Sequence, residues 1–357
     1  MQWNHNSVAR GGAVFALALL VPRSASAASV WPQPASLQLN NASYVPLAQT
    51  FTFTANNSAA SGSALLSRAF TRYTSLLHNL TEHTDARSVL DPAETHASGA
   101  EVQHVYVTLD DAGDDITFGV NESYTLTWDF SNQEAEPILH ASTVFGALRG
   151  LETFSQLVYD RSLPTSTPLQ LPVAGEVIDG PRFPYRGLMM DYSRHFYPVE
   201  FIEHTIDAMA ASKLNVLHMH ITDDQSFPME SASVPELAEQ GAFLDRDGKP
   251  LTYSADDVDR LTNYAQDRGV LLVPEFDMPA HSSSWRAGRP DIVIFGGAWL
   301  DAVFSFCVLC VAQVACATCT FDVAVLRRWL LSHRVRSRRR VKSNAECHIF
   351  CNRRFPV

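Results

Sequence analysis

The sequence predicts an α/β protein: a small α+β N-terminal domain (residues 28–160), then an incomplete (β/α)8 TIM barrel of about three β/α units (residues 185–294). Three observations predict it. After residue 184, short apolar runs alternate with helical periodicity, and each run ends in acidic or His residues. Before residue 160, helical and period-2 segments are mixed without that order. Past residue 294 both patterns stop: residues 1–294 hold 17 Lys+Arg and 35 Asp+Glu, whereas residues 295–357 hold 10 and 3. All six cysteines also lie in that tail, from Cys307 to Cys351.

The chain opens with Arg10, an apolar run from Ala13 to Val21, and Ala25-Ser26-Ala27. That is the pattern of a secretory signal peptide, residues 1–27, cut after Ala27. Four N-x-S/T sequons, at Asn41, Asn56, Asn79 and Asn121, then read as glycosylation sites on a protein of the secretory pathway, lysosomal or secreted. Without cysteine before residue 307, the body relies on core packing rather than disulfides. A net charge of -11 argues against electrostatic binding to nucleic acid or an anionic membrane.

In the first domain, Leu65, Leu66, Ala69, Phe70, Tyr73 and Leu77 predict an amphipathic helix within residues 59–80. Residues 104–109 and 124–128 alternate as strands, and residues 144–159 return to helical spacing. Pro, Ser and Gly mark residues 161–184 as a linker. Tyr185 to Asp191 then reads as a strand. Pro198 opens a helix that buries Ile202, Thr205, Ile206 and Met209. Residues 215–222 form the second strand, ending at Asp223-Asp224. A capping box at Ser254–Asp257 starts a helix that stops at Gly269. The third strand, from Val270 to Val273, runs into Glu275 and Asp277. Near-continuous apolar strands joined by helices imply a parallel sheet covered on both faces. With no Gly-rich phosphate turn after the first strand, a barrel with its chemistry at the C-terminal strand ends is favoured over a doubly wound sheet.

Three ordered blocks carry a resemblance: Arg186-Gly187-Leu188-Met189-Met190-Asp191-Tyr192-Ser193-Arg194-His195, then Lys213 to Pro228 around His218-Met219-His220-Ile221-Thr222-Asp223-Asp224, then Pro274-Glu275-Phe276-Asp277-Met278-Pro279-Ala280-His281. Together they resemble the family-20 glycoside hydrolases, the β-N-acetylhexosaminidases of eukaryotic lysosomal type. Val30-Trp31-Pro32-Gln33-Pro34 and residues 145–154 look like that family's N-terminal domain.

The resemblance implies removal of terminal non-reducing GlcNAc or GalNAc from glycans, with retention and with the substrate's acetamido oxygen as nucleophile. It implies no cofactor and no metal, and a dimer in a full-length form. Arg194, Asp223 and His281 match positions that bind or support the terminal sugar. The rigid guanidinium fork of Arg194 suits two ring hydroxyls, the alternative being a structural ion pair with Asp191. Asp191, Glu275 and Asp277 are expected behind them as supporting hydrogen-bond acceptors. Glu275 and Asp277, on one strand face, also admit an acid/base reading. His218 and His220, likewise two apart, could chelate zinc, but the resemblance makes them packing or supporting groups.

The family's catalytic Asp-Glu doublet sits in a His-x-Gly-Gly-Asp-Glu block that these 357 residues do not contain, so no catalytic residue is assigned and the chain is expected to be inactive. Residues 185–294 fall well short of the ~250 of a complete barrel. A sheet left open there would expose an apolar edge. The tail, residues 295–357, reads as non-homologous sequence from a frameshift, retained intron or gene-model error. Its alternatives are weaker. The apolar run from Ala302 to Ala317 is short for a membrane span, and the gap between the Cys307/Cys310 and Cys316/Cys319 pairs is short for a zinc ribbon. A non-catalytic glycan-binding or regulatory remnant is the rival function.

Overall fold

The computed structural model describes residues 30–82, 100–131, 135–158, 169–278 and 280–293; the expected signal peptide and the tail lie outside them. The first unit comprises β1 (Ser36–Ala55), α1 (Ser58–Gly62), α2 (Ala64–Glu82), β2 (Val102–Leu109), β3 (Tyr124–Asp129), β4 (Ala135–Ala141), α3 (Val144–Val158) and β5 (Gln170–Asp179). Its sheet, in the order β1-β2-β4-β3-β5, closes on itself. Closure depends on β1, whose first half pairs antiparallel with β5 and whose second half pairs parallel with β2. Register shifts between Asn40 and Tyr44 and between Leu47 and Thr52 re-aim the strand from one partner to the other.

The stretch expected as a linker, residues 161–184, is not one throughout: it contains strand β5. Gln170, Leu171, Pro172 and Val173 are buried, and the strand is hydrogen-bonded to both β1 and β3. The Pro- and Ser-rich composition on either side masked it. Helix α2 buries Leu65, Leu66, Ala69, Tyr73 and Leu77, as its periodicity predicts. The Asp114 carboxylate accepts from the Leu65 N–H at its N-terminus, where the helix dipole favours negative charge. Helix α3 is buried almost all round. A Cβ at Gly146 would lie 2.4 Å from the Ser123 carbonyl oxygen and one at Gly150 2.2 Å from Leu139 Cδ1, so only glycine allows this helix its seat on the sheet.

The second unit holds β6 (Gly187–Asp191), α4 (Val199–Ala211), β7 (Val216–His220), α5 (Glu236–Gly241), α6 (Ala255–Gln266), β8 (Leu271–Glu275) and a 3-10 turn at Ser283–Arg286. Its strands are parallel, in the order β6-β7-β8. The Ser254–Asp257 capping box forms with both of its bonds. Helices α4 and α6 end alike: Leu214 N donates to Met209 O and Val270 N to Ala265 O, with the preceding residue left-handed, Lys213 at φ 56° and Gly269 at φ 67°. Gly269 adopts that conformation freely, whereas Lys213 is a strained choice. Of the expected α4 face, Ile202, Ile206 and Met209 are buried and Thr205 is half-buried.

Lys213 is kept by what its side chain reaches. Its buried ammonium donates to Thr153 Oγ1 at 2.7 Å, Tyr124 OH at 3.0 Å and Asp179 Oδ2 at 3.1 Å, all in the first unit. Beside it, Glu122 is buried between Arg149 (2.7 Å) and Arg186 (2.6 Å) and accepts from Asn215 Nδ2 at 2.9 Å. Arg149 Nη2 also donates to Gly269 O at 2.7 Å. Val216, Leu271 and Val273 join the first unit's core. The two units are therefore clamped at the N-terminal edge of the parallel sheet, which leaves the opposite edge open. The expectation of a sheet covered on both faces fails at β6: Leu188 is 38 % and Met189 56 % exposed. Among the described residues β6 has one strand neighbour, so its apolar side chains lack the packing their composition suits.

Candidate active site

Strand register builds the site. Asp191 pairs with His220, and His220 pairs with Glu275, so the last residues of three parallel strands stand abreast. The loops that follow add Arg194, Asp223, Asp224, Asp277 and His281. Asp191 Oδ1 accepts from the N–H groups of Ser193 (3.1 Å) and Arg194 (2.9 Å), which turns the chain sharply back. The Arg194 guanidinium then lies on Asp191 Oδ2 at 2.7 Å and against Asp223 Oδ2.

Asp223 is the hub. Its side chain is 2 % exposed, and it meets Arg194, His220 Nε2 at 3.1 Å and His281 Nδ1 at 3.4 Å. It also accepts from the Asp224 N–H at 2.6 Å, while Ser284 Oγ donates to its carbonyl at 2.6 Å. His281 sits at φ 54°, and its exposed ring reaches back to Asp223 from the loop after β8. Below the hub, Glu275 Oε2 receives His218 Nε2 at 2.6 Å and His220 Nδ1 at 3.1 Å.

Burial alone would raise the Asp223 pKa, but the Asp224 N–H, the hydrogen bond with His220 and the electrostatic influence of Arg194 and His281 overcome it and hold the carboxyl below its ordinary range. Burial would lower His220, but hydrogen bonds to Asp223 and Glu275 raise it instead. Arg194 is raised, first by its hydrogen bond to Asp191. Asp277 is raised mainly by burial, with Glu275 and Asp223 adding repulsion that His281 and His220 oppose. One carboxylate is thus fixed ionised beside an exposed guanidinium, and another is biased toward its neutral form.

The structure brings together Arg194, Asp223, His281, Asp191 and Glu275, with Asp277 close enough to feel four of the site's charges. Arg194 makes the ion pair that the structural alternative foresaw, yet its side chain remains 48 % exposed. His218 and His220 face Glu275 rather than a shared metal position. Asp223, Asp224 and His281 bring ligand-type atoms within 4.8 Å of one another. Internal ion pairs and hydrogen bonds account for that grouping, and no metal is assigned to it. Sequence reasoning missed Ser193 and Ser284, whose hydroxyls tie the loops to Ser226 O and Asp223 O.

Two family profiles match the chain: "Glycosyl hydrolase family 20, catalytic domain" over residues 183–320 and "beta-acetyl hexosaminidase like" over residues 30–157. The chain belongs to glycoside hydrolase family 20. The catalytic-domain match of this family-20 chain runs beyond residue 294, where the sequence blocks end, into residues the structure does not describe. Beta-hexosaminidase subunit beta of Felis catus is 39% identical over 298 residues, 81% of this chain and 52% of that protein. The subunit beta of Homo sapiens is 38% identical over 74% of this chain and 45% of that protein, and the subunit alpha of Bos taurus 37% over 78% and 50%. The chain spans about half the length of the curated relatives it matches. Among solved family-20 structures, a Flavobacterium johnsoniae chitobiase aligns at TM-score 0.56 with 30% identity, covering 73% of this chain and 36% of that one. A Streptomyces plicatus N-acetyl-beta-hexosaminidase aligns at TM-score 0.52 with 26% identity, covering 72% and 48%.

Proposed function

We propose that the strand-end site holds the terminal non-reducing N-acetylhexosamine of a glycan, GlcNAc or GalNAc, and serves a retaining, substrate-assisted β-N-acetylhexosaminidase. The observation that carries it is Arg194: a guanidinium locked by Asp191 and Asp223 whose side chain is still 48 % exposed. Such a fork donates to two ring hydroxyls without losing much rotamer freedom on binding. Asp223, held ionised, keeps that fork in place, and His281 extends the network onto the loop after β8.

In the reaction this family membership suggests, the acetamido oxygen of the substrate attacks the anomeric carbon while an acid protonates the leaving oxygen. The groups that polarise the acetamido and protonate the leaving oxygen are the Asp-Glu doublet, which these 357 residues do not contain. Arg194, Asp223 and His281 therefore supply sugar binding here and not turnover, since ground-state binding alone gives no acceleration. The three parallel strands fit the first units of a (β/α)8 barrel, whose chemistry lies at the C-terminal strand ends. The full-length form is read as a dimer, in line with relatives that are named as subunits.

The compartment is the secretory pathway, lysosomal or secreted. Sequon asparagines Asn56 and Asn121 are exposed, and Asn121 Oδ1 accepts from both the N–H and the hydroxyl of Ser123; the side chains of Asn41 and Asn79 lie outside the described set. No helix among the described residues is long and apolar enough to cross a membrane.

The test is a pair of assays on the purified chain. N-acetylglucosamine should show saturable line broadening on its addition, and a chromogenic N-acetylglucosaminide should not be hydrolysed above a vector control. Absence of binding by folded protein would contradict the sugar-site reading. Turnover abolished by Glu275→Gln would place the acid on β8 instead.

A further inference from the structure

We propose that His220 is a positioning residue that acts through Asp223: doubly protonated, it is a cationic strap tying the sugar-site carboxylate to Glu275 on the neighbouring strand. Its bearing on catalysis rests on the sugar-site reading above; the strap itself rests on geometry. Nε2 lies 3.1 Å from Asp223 Oδ2 and Nδ1 lies 3.1 Å from Glu275 Oε2. Ionised carboxylates only accept hydrogen bonds, so satisfying both contacts needs an N–H on each ring nitrogen, which is the imidazolium. A neutral ring would leave one nitrogen lone pair facing a carboxylate oxygen in a buried place.

The surroundings favour that charge. Asp191 faces the ring from the end of β6, Glu275 from β8, and Asp223 and Asp277 from the loops after β7 and β8. Against these four carboxyl groups stand the Arg194 guanidinium, His281 on Asp223, and His218 on Glu275. Arg194 is the one permanent cation among them, and His220 is the group wedged between two of the acids. Its Cα is fixed at the centre of the sheet by pairing on both sides, to Asp191 and Glu275. The ring therefore cannot follow Asp223 if the loop moves. Protonated, His220 holds Asp223 in the orientation in which it receives Arg194; neutral, it releases one end of the strap.

Histidine-ring NMR on the whole chain decides this without reference to activity. The His220 resonances are assigned by their loss in His220→Gln and, should that variant not fold, by ring-to-backbone correlation in the unmodified protein. The expected result is protons on both ring nitrogens and a titration midpoint above the ordinary 6.5. Glu275→Gln, which keeps the shape and removes the charge, should lower that midpoint. The Asp223 carboxyl carbon should sense the same titration, and its own midpoint should rise in His220→Gln. A neutral His220 tautomer at pH 6, or an Asp223 signal indifferent to the ring, would overturn the proposal. Failure of N-acetylglucosamine to bind at any pH would instead count against the sugar site, leaving the strap to stand on the ring titration.

Discussion

The two units of this protein handle charge and strand edges in opposite ways. In the first, every strand of the closed sheet has two partners, and the buried acid Glu122 is neutralised by Arg149 and Arg186. In the second, β6 and β8 each pair only with β7 among the described residues, and four carboxyl groups gather near one guanidinium. The first unit compensates its buried acid in full, whereas the second gathers its acids around a half-exposed guanidinium. The clamp at Lys213 and Glu122 joins them at the edge away from the carboxylates, so the clamp and the carboxylate cluster sit at opposite ends of the same three strands.

Removing the clamp's buried acid should have the largest effect. Glu122→Ala leaves two guanidinium groups facing an unfilled buried space and should cost about 3–5 kcal/mol in chemical denaturation. A loss under about 1 kcal/mol would show the units to be held by apolar contact alone. Next comes a contrast across the two regions. Leu65→Ala in the first core should cost about 2–5 kcal/mol, while Met189→Ala on exposed β6 should stay within about 0.5 kcal/mol. Equal losses would mean that β6 is covered in solution. Ser254→Ala, which removes one bond of the α6 capping box, should cost about 1 kcal/mol.

A pH series sharpens the comparison further. Asp223 is depressed in the fold, so its contribution is complete above the ordinary 3.8 and is lost as pH falls through its lowered value. His220 is raised, so its contribution is complete below 6.5 and is lost as pH rises through its raised value. Hydrogen-exchange protection of the Ile221 amide, bonded to Glu275 O, should therefore peak between these two values, with no matching peak in the first unit. Protection at Ile221 that climbs from pH 6 to pH 8 would contradict this.

What the sequence disclosed follows from which forces are local. Helices α2, α3, α4 and α6 are legible because apolar spacing and caps are written within a few residues of one another. Strand β1 was not: its Asn, Gln and Thr residues dilute the alternation, and two register shifts break it. Pro137 hid β4 and Pro172 helped to hide β5, both real strands whose partners are distant in sequence. Exposure of β6 was equally out of reach, because an apolar run says what a strand suits and not what covers it. Arg194, Asp223 and His281 entered through ordered motif blocks. The grip of His218 and His220 on Glu275 depends on the register of β7 against β8, which no local signal specifies.

The most direct test of the central claim is the affinity of N-acetylglucosamine for the folded chain, measured by NMR titration with and without Arg194→Ala. The account predicts saturable shifts centred on Arg194, Asp223 and His281. It also predicts affinity about 10- to 100-fold weaker in the variant per charge-assisted hydrogen bond lost. Shifts confined to other surfaces, or equal affinity in a folded Arg194→Ala protein, would contradict it.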